Sequence, residues 1–364
     1  MNNEVLFDDL LEIVESDIVD WNLFNNSTLF ITGATGLIGS LIVRSIQLRN
    51  EMYNSNIKLK LLVRDENKAI NLFGTDSNIS YIEGSVEDLN IEKIDIDYII
   101  HAASPTKSKY FVENPVETMN TAIFGTQKVL ELARINDIKS MIYLSSMEMY
   151  GTMNSNSVDE KDQGYIDFKN VRSCYPEGKR VSELYSYCYS QEYGVPVKIA
   201  RIAQTFGPGI DVETENRVYK FFADSVLEKK NIVLKSTGST VINYGYTTDV
   251  VLGILCILQK GINGESYNLV GDKTNMTIYE SAKWLASEYG DGAIDVLFDI
   301  PKYNAGFAPD NNMVLENGAL KSLGWHPQHD IKDGYDSLLK YMKLEYSNRK
   351  NPKSDSKIKV MKLN

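Results

Sequence analysis

The segment TGATGLIGS constrains the fold more than any other part of the chain, because Gly33, Gly36 and Gly39 recur at intervals of three residues. An apolar strand, Ser27 to Thr32, precedes these glycines, and the helical pattern LIGSLIVRSIQLRN follows them. Glycines between a strand and a helix let the backbone approach a pyrophosphate, whose charge then meets the amino end of the helix. The segment therefore predicts a dinucleotide site on a β-turn-α unit.

Strand-like and helical segments alternate after this unit. The apolar runs are KLKLLVR, ISYIEG, IDYIIHAA, SMIYLSS and VPVKIARI, and the long helical patterns between them include NPVETMNTAIFGTQKVLELARIN and EGKRVSELYSYCYSQEYG. This alternation predicts an α/β fold with a doubly wound parallel sheet, and the looser pattern that follows predicts a smaller C-terminal lobe. We expect the following parts: residues 1–26, a helical extension; residues 27–206 with about 241–262, a dinucleotide-binding Rossmann domain; residues 207–240 and 263–345, a substrate-binding lobe; and residues 346–364, a disordered tail.

The composition excludes several partners. A net charge of -11 leaves no excess of Lys and Arg to neutralise nucleic acid or an anionic membrane. The cysteines Cys174, Cys188 and Cys256 form no C-x-x-C pair, so neither disulfides nor a metal site are expected. No signal-peptide pattern or apolar run of membrane-spanning length is present. We therefore expect a cytoplasmic protein with a small-molecule substrate.

A candidate proton-transfer pair follows the fourth of these apolar runs. Tyr175 and Lys179, in YPEGKR, are four residues apart in a predicted helix and so lie on one face. An ammonium beside a phenol favours the phenolate, so the pair can exchange a proton with a sugar hydroxyl while hydride moves to or from a nicotinamide. Ser146 ends the earlier strand SMIYLSS, and this combination is far more specific than the Tyr-x-x-x-Lys pair alone.

These motifs resemble those of a known family. The glycine turn TGATGLIG is similar to the fingerprint of extended short-chain dehydrogenases/reductases, and SSMEMYG, YPEGKR and ARIAQTFGPG resemble the catalytic blocks of NAD-dependent nucleotide-sugar epimerases, dehydratases and decarboxylases. The resemblance extends from about residue 27 to about residue 343. Within it, HAASPTKSKYFVENPVETMNTAIFGT and YPEGKRVSE are most similar to UDP-glucuronate decarboxylases.

The resemblance implies the catalytic roles. By this match Ser146 hydrogen-bonds the reacting hydroxyl, Tyr175 is the acid/base and Lys179 is its partner. Glu148 stands where dehydratases keep a glutamate base and where decarboxylases keep a glutamate near the carboxylate. The resemblance also implies a bound NAD that is recycled within each turnover, and a homodimer.

The resemblance also assigns residues to the cofactor and the substrate. The cofactor-binding residues are Gly33, Thr35, Gly36, Leu37, Ile38, Gly39, Arg64, Asp65, Ala102, Ala103, Ser104, Tyr175 and Lys179, and the substrate-binding residues are Ser104, Gln204 and Arg217. Arg64 stands where an acid for the ribose hydroxyls is expected and could pair with the 2′-phosphate of NADP, whereas Asp65 or Glu66 could serve as that acid. NAD is favoured by the resemblance, and NADP is the alternative.

Two of the positions that depart from the family pattern bear on the reaction. Ile242 stands where the family has an arginine that contacts the diphosphate and, in decarboxylases, helps hold the sugar carboxylate. Met147 stands where 4,6-dehydratases have an aspartic acid, and methionine cannot donate the proton that dehydration needs.

The leading hypothesis is therefore an NAD-dependent enzyme that oxidises a nucleotide sugar at C4, either UDP-glucuronate decarboxylase-like or 4-epimerase-like. A nucleotide-sugar 4,6-dehydratase or a 4-keto reductase is the alternative within this class. The alternative from another class is a non-catalytic dinucleotide-sensing regulator. The intact Ser146, Tyr175 and Lys179 count against that alternative, because a sensor needs no proton-transfer group.

Overall fold

A seven-stranded parallel sheet forms the centre of the computed structural model, which describes residues 3–153, 155–301 and 311–350. The strands are β1 (Thr28–Thr32), β2 (Lys58–Val63), β3 (Ile79–Glu83), β4 (Tyr98–His101), β5 (Ser140–Ser146), β6 (Ser157–Val158), β7 (Val197–Ile202), β8 (Gln204–Phe206), β9 (Ile232–Leu234), β10 (Val241–Ile242), β11 (Tyr244–Tyr246), β12 (Ser266–Leu269), β13 (Met276–Thr277), β14 (Val296–Phe298) and β15 (Val314–Leu315). The main sheet has the order β12-β7-β5-β4-β1-β2-β3, so the direction of winding reverses between β1 and β4. This topology confirms the predicted doubly wound sheet, whose ligand crevice lies at the carboxyl ends of the strands beside that reversal.

Helices connect the strands. They are α1 (Glu4–Glu15), α2 (Leu37–Tyr53), α3 (Glu66–Phe73), α4 (Ser108–Glu113), α5 (Pro115–Asn120), α6 (Thr126–Asn136), α7 (Cys174–Tyr193), α8 (Val218–Leu227), α9 (Thr247–Lys260), α10 (Ile278–Tyr289), α11 (Gly318–Lys321) and α12 (Ile331–Lys350). A π-helical turn, Thr121–Gly125, joins α5 to α6, and 3₁₀ turns cover Trp21–Leu23, Met147–Tyr150 and Val171–Ser173.

The most apolar segments of the sequence lie in the hydrophobic core. Every residue of β1 and β7 is buried, as expected for parallel strands covered on both faces. The apolar helix α9 is buried over most of its length and packs against β5, β7, α1 and α2. Across the described ranges, no helix combines the length and the hydrophobicity that crossing a membrane requires.

The N-terminal extension is part of this body, because α1 packs against α2, α9 and α12. The Tyr246 hydroxyl contacts both carboxylate oxygens of Asp9, at 2.8 and 2.9 Å. The ring of His329 lies between Glu12, at 3.3 Å, and Asp249, at 3.2 Å. Burial alone would lower the pKa of His329, but hydrogen bonds with Asp249 and Glu12 raise it to about 10. These contacts give His329 a structural role.

Two parts of the chain differ from the boundaries that we predicted. β12 lies within the range assigned to the substrate lobe, yet it pairs with β7 at the edge of the main sheet. The sequence SYNL is too short and too polar to stand out as a sheet strand. α12 extends through Lys350, beyond the predicted end of the lobe at 345, and residues 351–364 of the predicted tail lie outside the described residues. The other domain boundaries stay predictions.

Candidate active site

The glycine turn lies between β1 and α2 and is closely packed against the end of β4. Gly33 has a φ of 70°, and a Cβ atom there would lie 2.6 Å from the carbonyl carbon of Ala102. A Cβ atom on Gly39 would lie 2.3 Å from the carbonyl oxygen of Gly33. Gly36 is exposed and caps α2, whose first turn contains no acidic residue. A tight turn at the amino end of a 17-residue helix fits the pyrophosphate of a dinucleotide.

This packing predicts the effect of Gly39→Ala. Because the added methyl group meets the backbone of Gly33, α2 must move away from the turn, and NAD affinity should fall by about tenfold or more. Isothermal titration calorimetry measures the loss. Gly318→Ala is the matched control, since a methyl group there meets no atom within 4 Å. Unchanged NAD affinity in Gly39→Ala would show that this turn does not bind the cofactor.

The other predicted cofactor residues lie at the ends of β2 and β4. Ala102 and Ala103 follow β4 directly, and their N–H groups donate to the carbonyl and hydroxyl oxygens of Thr32 at 3.2 and 3.1 Å. Asp65 caps α3 by accepting a hydrogen bond from the N–H of Lys68 at 2.8 Å. Arg64 is exposed and forms no ion pair within the part of the chain that the structure describes. The helix cap therefore occupies one oxygen of the candidate ribose acid.

Ser146, Tyr175 and Lys179 converge at the carboxyl end of β5. Ser146 is the last residue of this strand, and its hydroxyl accepts a hydrogen bond from the N–H of Glu148 at 3.2 Å. Tyr175 and Lys179 lie one turn apart near the start of α7, and both side chains are buried. The ring of Tyr175 stacks on Phe111 with centroids 4.2 Å apart. This stacking holds the phenol in one orientation.

The surroundings of Tyr175 oppose its ionisation in the free protein. Burial raises its pKa, and the charge of Glu148 raises it further, whereas the Ser146 hydroxyl, Arg172 and Arg217 lower it. We expected Lys179 to supply the main positive charge. The structure adds the two arginines to that role, because both lie near the phenol.

The side chain of Lys179 is buried between α7 and the sheet. Its ammonium donates a 2.8 Å hydrogen bond to the carbonyl of Leu144 and lies 4.9 Å from the centroid of the Tyr143 ring and 5.8 Å from that of Tyr175. Burial lowers the pKa of Lys179 to about 7, against the attraction of Glu183. The ammonium is therefore close to losing its proton at neutral pH.

Glu148 forms an ion pair that sequence reasoning did not predict. Its carboxylate accepts hydrogen bonds from both terminal nitrogens of Arg172, at 2.7 and 3.0 Å. Arg172 also donates to the hydroxyl of Ser108 at 3.3 Å, and its Nε atom is buried without a partner among the described residues. Its position three residues before Tyr175, on the adjoining helical turn, was the available sequence signal.

Of the predicted substrate residues, Arg217 lies near Tyr175, because its charge lowers the pKa of that phenol. Arg217 precedes α8 and pairs with Glu215 through contacts of 3.0 and 2.5 Å. Burial would raise the pKa of Glu215, but this pairing lowers it to about 2. The side-chain oxygen of Gln204 is buried and has no hydrogen-bond partner in the described chain. A buried acceptor without a donor is suited to a ligand hydroxyl or amide.

The two unusual positions lie in apolar surroundings. Ile242 is buried in β10 and belongs to the main hydrophobic core. Met147 packs at the margin of a smaller cluster that contains Met149 and Tyr150. Neither side chain can bind a carboxylate or transfer a proton.

Comparisons with known proteins identify a family that this chain matches. The model of the NAD dependent epimerase/dehydratase family matches residues 29–270. The UDP-glucuronic acid decarboxylase 1 of Xenopus tropicalis is 26% identical over 324 residues, which cover 89% of this chain and 74% of the relative.

Solved structures share the fold. The UDP-glucose 4-epimerase of Thermotoga maritima, solved with UDP-glucose, aligns with a TM-score of 0.72 and 22% identity over 88% of this chain and 99% of that chain. The dTDP-glucose 4,6-dehydratase DesIV of Streptomyces venezuelae, solved with NAD and TYD, aligns with a TM-score of 0.71 and 22% identity over 89% of this chain and 97% of that chain.

Proposed function

The chain belongs to the NAD dependent epimerase/dehydratase family, and on this premise we propose that it oxidises a nucleotide sugar at C4 and then transforms the 4-keto intermediate. The convergence of Ser146, Tyr175 and Lys179 at the carboxyl edge of the sheet, the edge that also carries the glycine turn, carries this proposal. The resemblance of the chain to UDP-glucuronic acid decarboxylases supports a nucleotide-sugar substrate.

Ser146, Tyr175 and Lys179 have different roles in the proton transfer. Ser146 accepts or donates a hydrogen bond at the C4 hydroxyl and holds it toward the Tyr175 phenol. Tyr175 takes the hydroxyl proton as the carbonyl forms, and it returns a proton when the ketone is reduced. Arg172 and Arg217 lower the pKa of Tyr175, and the protonated Lys179, 5.8 Å from the centroid of the phenol ring, would further stabilise the phenolate that this exchange requires. A bound NAD would supply the hydride acceptor for this oxidation and the hydride donor for the reduction.

We assign the cofactor to the glycine turn and the strand ends around it. The residues that would hold NAD are Gly33, Thr35, Gly36, Leu37, Ile38 and Gly39 at the pyrophosphate, Arg64 and Asp65 at the adenosine ribose, and Ala102, Ala103, Ser104, Tyr175 and Lys179 toward the nicotinamide. The exposed Arg64 keeps NADP as the alternative, because a guanidinium can pair with the 2′-phosphate.

The nucleotide sugar is assigned to Ser104, Gln204 and Arg217. The guanidinium of Arg217 is suited to a diphosphate, although the phosphate oxygens must share it with Glu215 or displace that carboxylate. The unpaired oxygen of Gln204 supplies an acceptor for a substrate group. Neither contact distinguishes one nucleotide base from another.

The fate of the 4-keto intermediate depends on the residues beside Ser146. Met147 disfavours 4,6-dehydration, because it offers no acid for the departing hydroxyl. Ile242 removes one means of holding a sugar carboxylate, whereas Glu148 retains a carboxylate beside the site. We therefore propose a decarboxylase-like or 4-epimerase-like reaction, with a 4-keto reductase as the alternative that needs only Ser146, Tyr175 and Lys179.

A substrate panel tests this function. The purified protein is incubated with UDP-, dTDP-, CDP- and GDP-sugars, and the products are identified by mass spectrometry and NMR. Loss of carbon dioxide indicates decarboxylation, an unchanged mass with a new sugar indicates epimerisation, loss of water indicates dehydration, and gain of hydrogen indicates reduction. A panel in which no sugar changes and bound NAD stays oxidised would favour the dinucleotide-sensing regulator.

We also propose a homodimer through the outer faces of α5 and α7. These helices pack together, and each exposes large apolar side chains: Val116 is 63% exposed and Leu184 is 62% exposed. Phe124, on the adjoining π-helical turn, is 53% exposed. A second copy of the same face would remove these side chains from water.

The expected location is cytoplasmic, and this rests on the cysteine pattern of the sequence.

The dimer proposal predicts that Val116→Glu/Leu184→Glu is monomeric, because burying two carboxylates in an apolar interface is costly. Size-exclusion chromatography with light scattering measures the mass. Ile262→Glu is the control, since Ile262 is equally exposed, at 64%, but lies in a loop after α9. Equal masses for the unchanged chain and the double variant would contradict this interface.

A further inference from the structure

A buried polar network surrounds Glu183, one helical turn after Lys179 on α7. The carboxylate accepts a hydrogen bond from the hydroxyl of Ser145. Arg201 holds the same carboxylate through Nη2 at 2.7 Å and Nε at 3.0 Å. Ser145 and Arg201 are paired residues on β5 and β7, so the sheet itself sets the position of these donors. None of these residues is assigned to the cofactor or the substrate.

The network continues across the sheet and orients Arg201. Its Nη1 donates to the hydroxyl of Tyr150 at 2.9 Å and to the carbonyl of Glu160 at 2.7 Å. The Tyr150 hydroxyl donates to the side chain of Asn268 at 2.7 Å, and Asn268 pairs with Arg201 in the register of β12 and β7. The 3₁₀ turn after β5 and the loop after β6 therefore hold the guanidinium of Arg201, and it has little freedom to release Glu183.

Lys179 and Glu183 are bound to adjacent residues of β5. The ammonium of Lys179 donates to the carbonyl of Leu144, and the carboxylate of Glu183 accepts from the side chain of Ser145. Lys179 is only 3% exposed, so burial disfavours its charged form. Glu183 opposes this effect, because its negative charge raises the pKa of Lys179.

The other titratable groups around Lys179 do not replace Glu183. They are His101 on β4, Tyr143 on β5, Tyr175 on α7, Arg201 on β7 and the Glu148–Arg172 pair beyond Tyr175. His101 is neutral, because burial lowers its pKa to about 3, and burial raises the pKa of both phenols. Glu148 lies on the far side of Tyr175, paired with Arg172, and Glu183 is the carboxylate that raises the pKa of Lys179.

We propose that Glu183 is a positioning residue that keeps Lys179 protonated and in place for proton exchange at Tyr175, while Arg201 and Ser145 hold Glu183. This inference rests on the role of Lys179 in the proposed function. Without Glu183 the buried ammonium would lose its proton at a lower pH. A smaller fraction of the enzyme would then carry the positive charge that stabilises the phenolate.

Unfolding measurements test the coupling without any substrate. The unfolding free energy of the full chain is measured with urea between about pH 5 and about pH 10, in pairs of proteins that differ only by Lys179→Met. The difference in unfolding free energy within a pair reports the contribution of Lys179. This difference begins to change with pH at the pKa of Lys179 in the folded protein. We expect this onset near pH 7 in the otherwise unchanged chain. In Glu183→Gln it should lie about one pH unit lower or more.

Three further variants keep this test decisive. If Glu183→Gln does not fold because Arg201 is left unpaired, Glu183→Gln/Arg201→Met removes both charges and should lower the onset as well. Glu183→Asp retains the charge and should move the onset back toward pH 7. Glu131→Gln, on the neighbouring helix α6, removes a carboxylate distant from Lys179 and should leave the onset unchanged. The same onset with and without Glu183 would overturn the proposal.

The pH profile of turnover separates positioning from a merely structural role. For the nucleotide sugar that reacts fastest, the fall of kcat/KM at alkaline pH should move to lower pH in Glu183→Gln, in step with the onset from unfolding. A shifted onset with an unmoved profile would overturn the catalytic half of the proposal. If no nucleotide sugar reacts, the proposed function fails, while the unfolding measurements still decide whether Glu183 controls Lys179.

Discussion

Tyr175→Phe should lower turnover of the best nucleotide sugar by about 10²–10⁴-fold, the range typical of losing a general acid/base. The variant keeps the ring that stacks on Phe111 and removes only the hydroxyl that exchanges the proton. The fold and the NAD affinity should therefore change little. Steady-state kinetics on the substrate identified by the panel measure the loss, and calorimetry measures NAD binding.

Tyr187→Phe is the control for this substitution. Tyr187 lies on the same helix but is 50% exposed, so loss of its hydroxyl should leave turnover within about twofold. Full activity of Tyr175→Phe would contradict the proposed mechanism. If the unchanged chain is active and Tyr175→Phe is not, the dinucleotide-sensing regulator is also excluded, because a sensor has no reaction to lose.

Lys179→Met should stabilise the protein at pH 6 while it abolishes most of the activity. The pKa of Lys179 is about 7 in the folded protein against an ordinary value of 10.5, which corresponds to a penalty of about 5 kcal/mol. Methionine avoids this penalty but loses the hydrogen bond to the Leu144 carbonyl and the contact with the Tyr143 ring. The net gain should be about 2–4 kcal/mol.

The gain should depend on pH in a defined direction. Below pH 7 the lysine is protonated in both the folded and the unfolded chain, so the full penalty applies. Between pH 7 and pH 10.5 the folded protein is deprotonated first, and the unchanged chain becomes more stable relative to the variant as the pH rises. Urea denaturation at a series of pH values measures this convergence.

Lys109→Met is the control, because Lys109 is exposed on α4 and its substitution should change stability by less than about 0.5 kcal/mol at any pH. A constant difference between Lys179→Met and the unchanged chain would show that Lys179 is not destabilised by burial. A loss of activity without a gain in stability would mean that Lys179 is catalytic but that its neighbours fully offset the cost of burying its charge.

Local sequence patterns were sufficient to predict the fold and the tight glycine turn between β1 and α2. The glycine spacing of TGATGLIGS reflects contacts between residues close in sequence, such as Gly39 against Gly33. The alternation of strands and helices predicted the parallel sheet, whose order confirms it. The family match confirms the resemblance and the NAD-dependent class that it implied. The roles of Ser146, Tyr175 and Lys179 stay proposals until the variants are measured.

The electrostatic partners of the site were less accessible from sequence. Arg172 lies three residues before the motif YPEGKR, and only the folded chain brings its guanidinium to both oxygens of Glu148. Arg201 and Glu183 are eighteen residues apart and meet because β7 lies beside β5 while α7 packs over both strands. Their sequence positions alone give no sign of an ion pair.

The sequence by itself determined the glycine turn and the strands that end in polar residues, because these depend on steric limits and periodicity that act within a few residues. Only the tertiary structure decided the pKa values of the buried charged groups and which residues they pair with. Burial moved the pKa of Lys179 to about 7, and three positions distant in sequence, Ser145, Glu183 and Arg201, formed the network beside it. The physical reason is that desolvation and Coulomb interactions depend on distances in space, which the order of residues along the chain does not specify.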